Sequence, residues 1–276
     1  MPELPEVETV VRGLTPVWQG RRFARVEARR PDLRFPLPED LGQRLVGATV
    51  IGLARRAKYG LVHTDRGDTM IFHLGMSGRM RLDPPEIGKH DHVIFETEPQ
   101  AGDAGHVVAF NDARRFGSLD FARTDALAAH PALAGLGPEP LGDDLTPSHL
   151  ARSFANRAAP VKALLLDQRI VAGLGNIYVC EALHLAGISP ERLGRDVTAK
   201  ETGKLAPAIK AVLKAAVAAG GSTLRDFVQV GGELGYFQKQ WRVYGREGEA
   251  CPVCEAPVGR RVQSGRSSFF CATCQA

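Results

Sequence analysis

The chain has 276 residues, of which 44% are hydrophobic and 24% charged, and its formal net charge at pH 7 is +4. That length is enough for two domains with separate cores, and the composition is typical of a globular protein in solution. No apolar stretch approaches the ~18 residues of a membrane span, and the acidic N-terminus does not resemble a secretory signal. We therefore expect a cytoplasmic protein with no membrane partner. The mild basic excess is compatible with nucleic acid as a partner.

The N-terminal half combines one helix with many short strands. Residues 3–18 predict a helix, because apolar side chains recur from Val7 to Trp18 at helical spacing and Gly20 follows the last of them. Short β-branched or aromatic segments separated by Gly, Pro and Asp then predict strands. These segments are residues 23–28, 49–54, 60–64, 69–74, 92–97, 106–111 and 118–122. Without long helices between them, they favour an antiparallel sandwich.

Glycine and proline concentrate in residues 131–147, which predicts a linker, and helical patterns follow it. Thr146 before Pro147 is typical of a helix start, and Thr198 with Glu201 fits a capping box that opens another helix. The expected fold is α+β and multidomain. Its predicted parts are a catalytic sandwich domain with the N-terminal helix, the linker, a helical domain and a zinc-finger hairpin. They span residues 1–130, 131–147, 148–235 and 236–276.

Four of the five cysteines lie in the last 26 residues as two pairs with CxxC spacing. The pairs are Cys251 with Cys254 and Cys271 with Cys274. Two such pairs can wrap one tetrahedral metal, and thiolates at this spacing favour Zn²⁺. Four cysteines leave no open coordination position, so we expect one structural zinc ion. The short segment between the pairs has little core and should depend on the metal to fold.

Two other types of site are excluded by the residues around them. A zinc base deaminase needs an HxE motif and an open coordination position, and neither is present. Gly173 and Gly175 could begin a dinucleotide-binding loop, but the third glycine and the surrounding βαβ pattern are missing. No redox or nucleotide cofactor is expected.

Proline and two glutamates follow the initiator methionine, as Pro2, Glu3 and Glu6. Removal of Met1 would free the secondary amine of Pro2. An α-amine has a pKa of roughly 8, so a sizeable fraction is unprotonated and nucleophilic near neutral pH. Such an amine can form an iminium with a sugar carbon, and the two carboxylates could move protons.

The string from Pro2 to Val10, PELPEVETV, resembles the N-terminus of formamidopyrimidine-DNA glycosylases, and the resemblance extends over almost the whole chain. It implies a helix–two-turns–helix fold for the helical domain. It also implies an enzyme that removes oxidised purines, chiefly 8-oxoguanine and formamidopyrimidines, from duplex DNA and then cleaves the strand by β,δ-elimination. Pro2 would attack the sugar, Glu3 would act as general acid and base, and Glu6 would help to hold the amine.

The resemblance also implies roles for residues in the other matching segments. Lys58 and Arg266 would position and stabilise phosphates at the lesion. Met76, Arg114 and Phe116 would fill the gap that the flipped nucleotide leaves. Further backbone contacts would come from His90, Lys162 and Asn176. The expected partner is damaged double-stranded DNA, bound by a monomer associated with the nucleoid.

Two alternatives stay open. The first is a sister glycosylase of the endonuclease VIII type, which acts on oxidised pyrimidines and would share Pro2, Glu3, Lys58 and the zinc finger. The sequence from Leu4 to Glu8 and the aromatic wedge at Phe116 favour the purine enzyme. The second is a zinc-finger protein that binds damaged DNA without catalysis, and the combination of Pro2, Glu3 and Lys58 argues against it.

Overall fold

The structure, a computed structural model, describes residues 1–223 and 228–276, which form two compact units. Unit 1 comprises Met1–Ala134 and Ala219–Tyr236, and unit 2 comprises Gly135–Ala218 and Phe237–Ala276. Among the described residues, no helix is long and apolar enough to cross a membrane.

This division differs from the predicted domain boundaries. The expected helical domain ran to residue 235, whereas the chain returns to unit 1 at Ala219. The physical reason is that Val230 is buried in the core of unit 1 and the Ser222 amide donates a hydrogen bond to Glu6. Residues 224–227, which fall within the predicted helical domain, lie outside the described residues.

Unit 1 is built from helix α1 and two four-stranded antiparallel sheets, with strand orders β1-β6-β7-β5 and β2-β3-β4-β8. The helices are α1 (Leu4–Trp18), α2 (Leu41–Leu45) and α3 (Pro131–Ala134). The strands are β1 (Phe23–Ala28), β2 (Val50–Arg56), β3 (Tyr59–Thr64), β4 (Asp68–His73), β5 (Arg79–Leu82), β6 (Asp91–Thr97), β7 (Val107–Asn111) and β8 (Ser118–Arg123). The expected α+β sandwich is confirmed, and β5 is an additional strand.

One apolar core joins α1 to both sheets of unit 1. Trp18, at the end of α1, is fully buried and makes edge-to-face contacts with Phe23 of β1 and Phe95 of β6. Val62 and Phe72 bring β3 and β4 into the same core. Because burial of apolar surface is the main favourable term in folding, this core holds the start of α1 against the sheets.

Unit 2 contains helices α4 (Pro147–Phe154), α5 (Val161–Leu166), α6 (Asn176–Ala186) and α7 (Ala199–Ala218), followed by the hairpin of β9 (Gly259–Gln263) and β10 (Arg266–Phe270). Both predicted helix starts are confirmed. Thr146 Oγ1 accepts a hydrogen bond from the His149 amide, and Thr198 and Glu201 form the expected reciprocal capping box.

Candidate functional site

The start of α1 is a buried acidic site in unit 1. Pro2, Glu3 and Glu6 are all buried, and Glu3 is the N-cap of the helix. The two carboxylate oxygens of Glu6 accept backbone hydrogen bonds from different segments. Oε2 accepts from the Glu3 amide at 2.8 Å, and Oε1 accepts from the Ser222 amide at 2.8 Å. Glu6 therefore ties the first residues of the chain to the segment that returns after α7.

Lys58 lies in the two-residue turn between β2 and β3 and is 6% exposed. Its neighbour Ala57 has φ +53°, in the left-handed region that such tight hairpin turns require. Arg55 Nη1 donates to the Ala57 carbonyl at 3.0 Å, and Arg55 Nε donates to Glu8 Oε2 on α1 at 2.9 Å. This chain of contacts fixes the lysine turn relative to the helix that carries Pro2 and Glu3.

Two adjoining loops expose the three residues expected to enter the duplex. Met76 is 37% exposed and Phe116 is 43% exposed, and the Arg114 guanidinium carbon lies 5.0 Å from the centre of the Phe116 ring. Ser77 links the loops, because its hydroxyl donates to Asp112 Oδ1 at 2.5 Å and accepts from the Arg114 amide at 3.1 Å. Hydrogen bonds therefore connect the two loops that carry these exposed groups.

Gly75 lets these two loops approach closely. Its φ is +62°, and a Cβ built there would lie 2.3 Å from the backbone carbon of Phe116. The buried Asp112 also accepts a hydrogen bond from the Gly117 amide at 2.7 Å. His90, the expected phosphate contact, is exposed on the same unit, and its carbonyl accepts from the Asp112 amide at 2.9 Å.

In unit 2, Asn176 is the first residue of α6, and Arg266 is exposed at the start of β10. The connecting turn consists of Ser264 and Gly265, both with positive φ, as expected for a tight hairpin. The Ser267 carbonyl accepts from Asn176 Nδ2 at 2.9 Å. The strand that presents Arg266 is thus held against the N-terminus of α6, a position suited to binding an anion.

Lys162, which the resemblance assigns to a contact with the DNA backbone, is buried in the structure. The residue is 0% exposed, and its Nζ donates to the Ser267 carbonyl at 3.0 Å and to Ser268 Oγ at 2.7 Å. Burial lowers the pKa of Lys162 below its ordinary value, and the nearby charge of Arg266 lowers it further. The ammonium group thus has two oxygen partners on β10.

The four zinc-finger cysteines converge in unit 2. Their sulfur atoms all lie within 4.8 Å of one another, with 3.4 Å between Cys254 and Cys271 and 3.9 Å between Cys251 and Cys274. Tetrahedral zinc with Zn–S bonds of about 2.3 Å places its sulfurs about 3.8 Å apart. These side chains therefore fit one closed structural zinc site, as expected.

The proposed site residues fall into two groups. Unit 1 carries Pro2, Glu3, Glu6, Lys58, Met76, His90, Arg114 and Phe116, whereas unit 2 carries Lys162, Asn176, Arg266 and the four cysteines. Sequence reasoning missed two residues that support them, namely Glu8 and Ser77. Glu8 lies in the N-terminal string and Ser77 lies next to Met76. Nothing in the sequence near either residue indicates the distant residue that its side chain contacts.

An apolar side chain beside a guanidinium on an exposed loop suits insertion into a base stack, and an arginine presented by a zinc hairpin suits a phosphate backbone. Fold and site together define a zinc-finger DNA-binding protein with candidate groups for covalent chemistry at the start of α1.

Comparison with known proteins narrows this class. Residues 1–119 match the formamidopyrimidine-DNA glycosylase N-terminal domain, and residues 136–228 match the H2TH domain of the same enzyme. Residues 248–276 match the zinc finger found in FPG and IleRS. The chain is 62% identical over 275 residues to the formamidopyrimidine-DNA glycosylase of Novosphingobium aromaticivorans, with full coverage of both chains.

Solved structures agree with this match. The MutM (Fpg) protein of Thermus thermophilus superposes with a TM-score of 0.87 at 41% identity, covering 99% of this chain and 98% of that one. A variant Fpg of Lactococcus lactis in complex with Fapy-dG-containing DNA gives a TM-score of 0.90 at 34% identity, covering 99% of each chain. The chain belongs to the formamidopyrimidine-DNA glycosylase family.

Proposed function

We propose that this protein is a bifunctional base-excision-repair enzyme that removes 8-oxoguanine and formamidopyrimidines from duplex DNA and then cleaves the strand. It acts as a monomer on DNA of the nucleoid. The observation that carries the proposal is the double hydrogen bond from the Glu3 and Ser222 amides to Glu6, which fixes the helix start that carries Pro2. A nucleophile held in one geometry avoids much of the entropic cost of a bimolecular attack.

The first chemical step joins the Pro2 nitrogen to C1′ of the damaged nucleotide. As the N–C1′ bond forms, the glycosidic bond breaks, and the base leaves with the electron pair and takes up a proton. The nitrogen loses its own proton. Glu3 then donates a proton to the ring oxygen O4′, the C1′–O4′ bond opens, and an iminium forms between Pro2 and C1′.

The iminium makes the neighbouring C–H bonds acidic because it accepts their electrons. Loss of a proton from C2′ expels the 3′ phosphate, and loss of a proton from C4′ then expels the 5′ phosphate. Each phosphate leaves with the electron pair of its C–O bond. Lys58 and Arg266 supply positive charge for these leaving groups, since a charge already in place costs no reorganisation during the reaction.

Access to the base requires that the nucleotide leave the stack, which costs a few kcal/mol. Met76 and Phe116 fill the gap, and the Arg114 guanidinium hydrogen-bonds the base left without a partner. His90 binds a backbone phosphate, and Asn176 binds one at the N-terminus of α6. Zn²⁺, held by its four cysteines, stabilises the hairpin that presents Arg266.

The test is borohydride trapping on an 8-oxoguanine·C duplex, with untagged protein whose mass shows that Met1 is removed. We expect a covalent adduct that maps to Pro2. Pro2→Gly should trap far less, and Glu3→Gln should be slower by about 10²–10⁴-fold. Glu39→Gln, an exposed glutamate outside the site, is the matched control. Normal nicking of lesion DNA by either site variant would overturn the catalytic assignment.

Two further outcomes address the alternatives. Faster reaction on a thymine glycol duplex than on 8-oxoguanine·C would indicate the pyrimidine enzyme instead. Tight binding to lesion DNA with neither adduct nor nicking would indicate a damage-binding protein without catalysis.

A further inference from the structure

His184 contacts the zinc site without being one of its four ligands. It lies in the last turn of α6 and is 4% exposed, and its Nε2 lies 3.4 Å from Cys251 Sγ. The cluster of metal-binding groups among the described residues consists of the four cysteines alone. The imidazole therefore meets the sulfur from outside the coordination shell.

The two nitrogens of the His184 ring have different surroundings. Nδ1 is buried and has no hydrogen-bond partner in residues 1–223 and 228–276, whereas Nε2 faces the sulfur. A neutral imidazole carries one proton, and burying an N–H donor without a partner is costly. The proton therefore belongs on Nε2, where a thiolate can accept its hydrogen bond.

The backbone around His184 is held by hydrogen bonds near the second cysteine pair. α6 ends at Gly187, whose φ is +71°, and the Gly187 amide donates to the His184 carbonyl at 3.1 Å. Just beyond, the Ser189 amide donates to the Ala276 carbonyl at 3.1 Å, and Gln275 Nε2 donates to the Ile188 carbonyl at 2.9 Å. The end of α6 is thus joined to the segment that follows the second cysteine pair, which holds the backbone of His184 close to the metal site.

A zinc ion with four thiolates carries a net charge of −2, and this charge is partly buried here. A hydrogen bond to one of the sulfurs spreads that charge, and bonds to ionised acceptors are the strong ones. Groups that orient metal ligands typically change metal affinity 10–100-fold when they are removed. Cys251 is the sulfur that receives this support.

We propose that His184 donates a hydrogen bond from Nε2 to the zinc-bound Cys251 thiolate and so increases the protein's affinity for zinc. It is a positioning residue for the metal site and is not a ligand. The proposal concerns the structural zinc and does not depend on the catalytic roles assigned to unit 1.

The first test compares zinc affinity in the full chain by competition with a chromophoric chelator. His184→Phe keeps a ring but removes the donor and should bind zinc about 10–100-fold more weakly. His184→Gln keeps an N–H donor and should stay within about threefold of the parent protein. His149→Leu, which removes another partly buried histidine of unit 2, is the control and should leave zinc affinity unchanged. Parental affinity in His184→Phe, or equal losses in both His184 variants, would overturn the proposal.

The second test uses the parent protein and does not require a variant to fold. With ¹¹³Cd²⁺ in place of zinc, a hydrogen bond through the Cys251 sulfur should give a scalar coupling between the metal and the ring proton on Nε2 of His184. A cadmium-loaded protein whose His184 proton shows no such coupling would rule out the bond.

Discussion

At the scale of single residues, His73 shows how the fold controls protonation beside the proposed catalytic lysine. His73 ends β4, and its Nδ1 accepts a hydrogen bond from the Gly75 amide at 3.0 Å. Burial, aided by the charges of Lys58 and Arg34, lowers the pKa of His73 to about 4. The ring is therefore neutral at physiological pH and can keep accepting the bond that shapes the Met76 loop.

This lowered pKa predicts an acid-sensitive component of stability. His73 takes up a proton near pH 6.5 in the unfolded chain but only near pH 4 in the folded protein. The unfolding free energy is therefore unaffected by His73 above pH 6.5. It falls by up to roughly 3 kcal/mol as the pH falls towards 4, because the unfolded chain then binds a proton that the folded protein does not. His73→Gln keeps an acceptor but does not titrate. Urea unfolding at several pH values should give a flatter profile for this variant, and parallel profiles would contradict the assignment.

At the scale of elements, the contact between α1 and the β2–β3 turn predicts a kinetic role for Glu8. Burial alone raises the pKa of Glu8, but hydrogen bonds from Arg55 and Arg12 outweigh it and lower the pKa, so this carboxylate is ionised at neutral pH. Glu8→Gln weakens its hold on Arg55 and hence on the turn of Lys58. Because small misplacements can cost up to about 10²-fold in rate, we expect roughly tenfold slower single-turnover trapping with little change in DNA affinity.

The control for Glu8 is Arg12→Gln. Arg12 also pairs with Glu8, but its side chain is 64% exposed and the pair lies within one helix, so its loss should leave the trapping rate nearly unchanged. An equal slowing in both variants, or a loss of DNA affinity that accounts for the slowing, would contradict a role for Glu8 in positioning the lysine turn.

The two loops that carry Met76 and Phe116 form a second structural element, joined by Ser77. Ser77→Ala leaves a buried oxygen of Asp112 without this donor, which should cost about 1–3 kcal/mol of unfolding free energy. The same change frees the Arg114 amide, so binding to a duplex with an abasic-site analogue should weaken as well. Ser148→Ala, on an exposed helix start, is the control. Unchanged stability and unchanged DNA affinity in Ser77→Ala would show that the loops do not depend on this link.

At the scale of the whole molecule, local sequence patterns predicted helices and strands. Features that depend on contacts between residues far apart in the sequence could not be predicted in this way. The strand at residues 23–28 and the helix starts at Thr146 and Thr198 follow from nearby residues. By contrast, β5 is only four residues long and depends on pairing with β7. No local pattern marks Lys162 as buried, because its partners on β10 lie more than 100 residues away.

The same reasoning explains the domain boundaries and the site. The return of the chain to unit 1 after α7 depends on Ser222 and Val230, which meet α1 and the core only in the folded state. The cysteine spacing predicted the metal site because the chemistry of four thiolates is local. The contact between His184 and Cys251 joins residues 67 positions apart, so only the structure indicates it.

The division into two units predicts that zinc removal affects them differently. The chain has two tryptophans, and each lies in a different unit. Trp18 is in the core of unit 1. Trp241 packs against Tyr244 with ring centres 5.0 Å apart, and Tyr244 packs against Phe269 of β10 at 5.1 Å. Trp241 is therefore coupled through aromatic contacts to the hairpin that the metal stabilises.

Single-tryptophan variants make this prediction measurable. In Trp18→Phe, chelation of zinc should shift the emission of Trp241, because the hairpin has too little core to stay folded without metal. In Trp241→Phe, the emission of Trp18 should not change, since its apolar core contains no metal ligand. Chelation should also abolish binding to lesion DNA, because the unfolded hairpin no longer presents Arg266 to the phosphates. If chelation left the Trp241 signal and DNA binding intact, the zinc would not hold the DNA-binding hairpin; a parallel shift of Trp18 would mean that the two units unfold together.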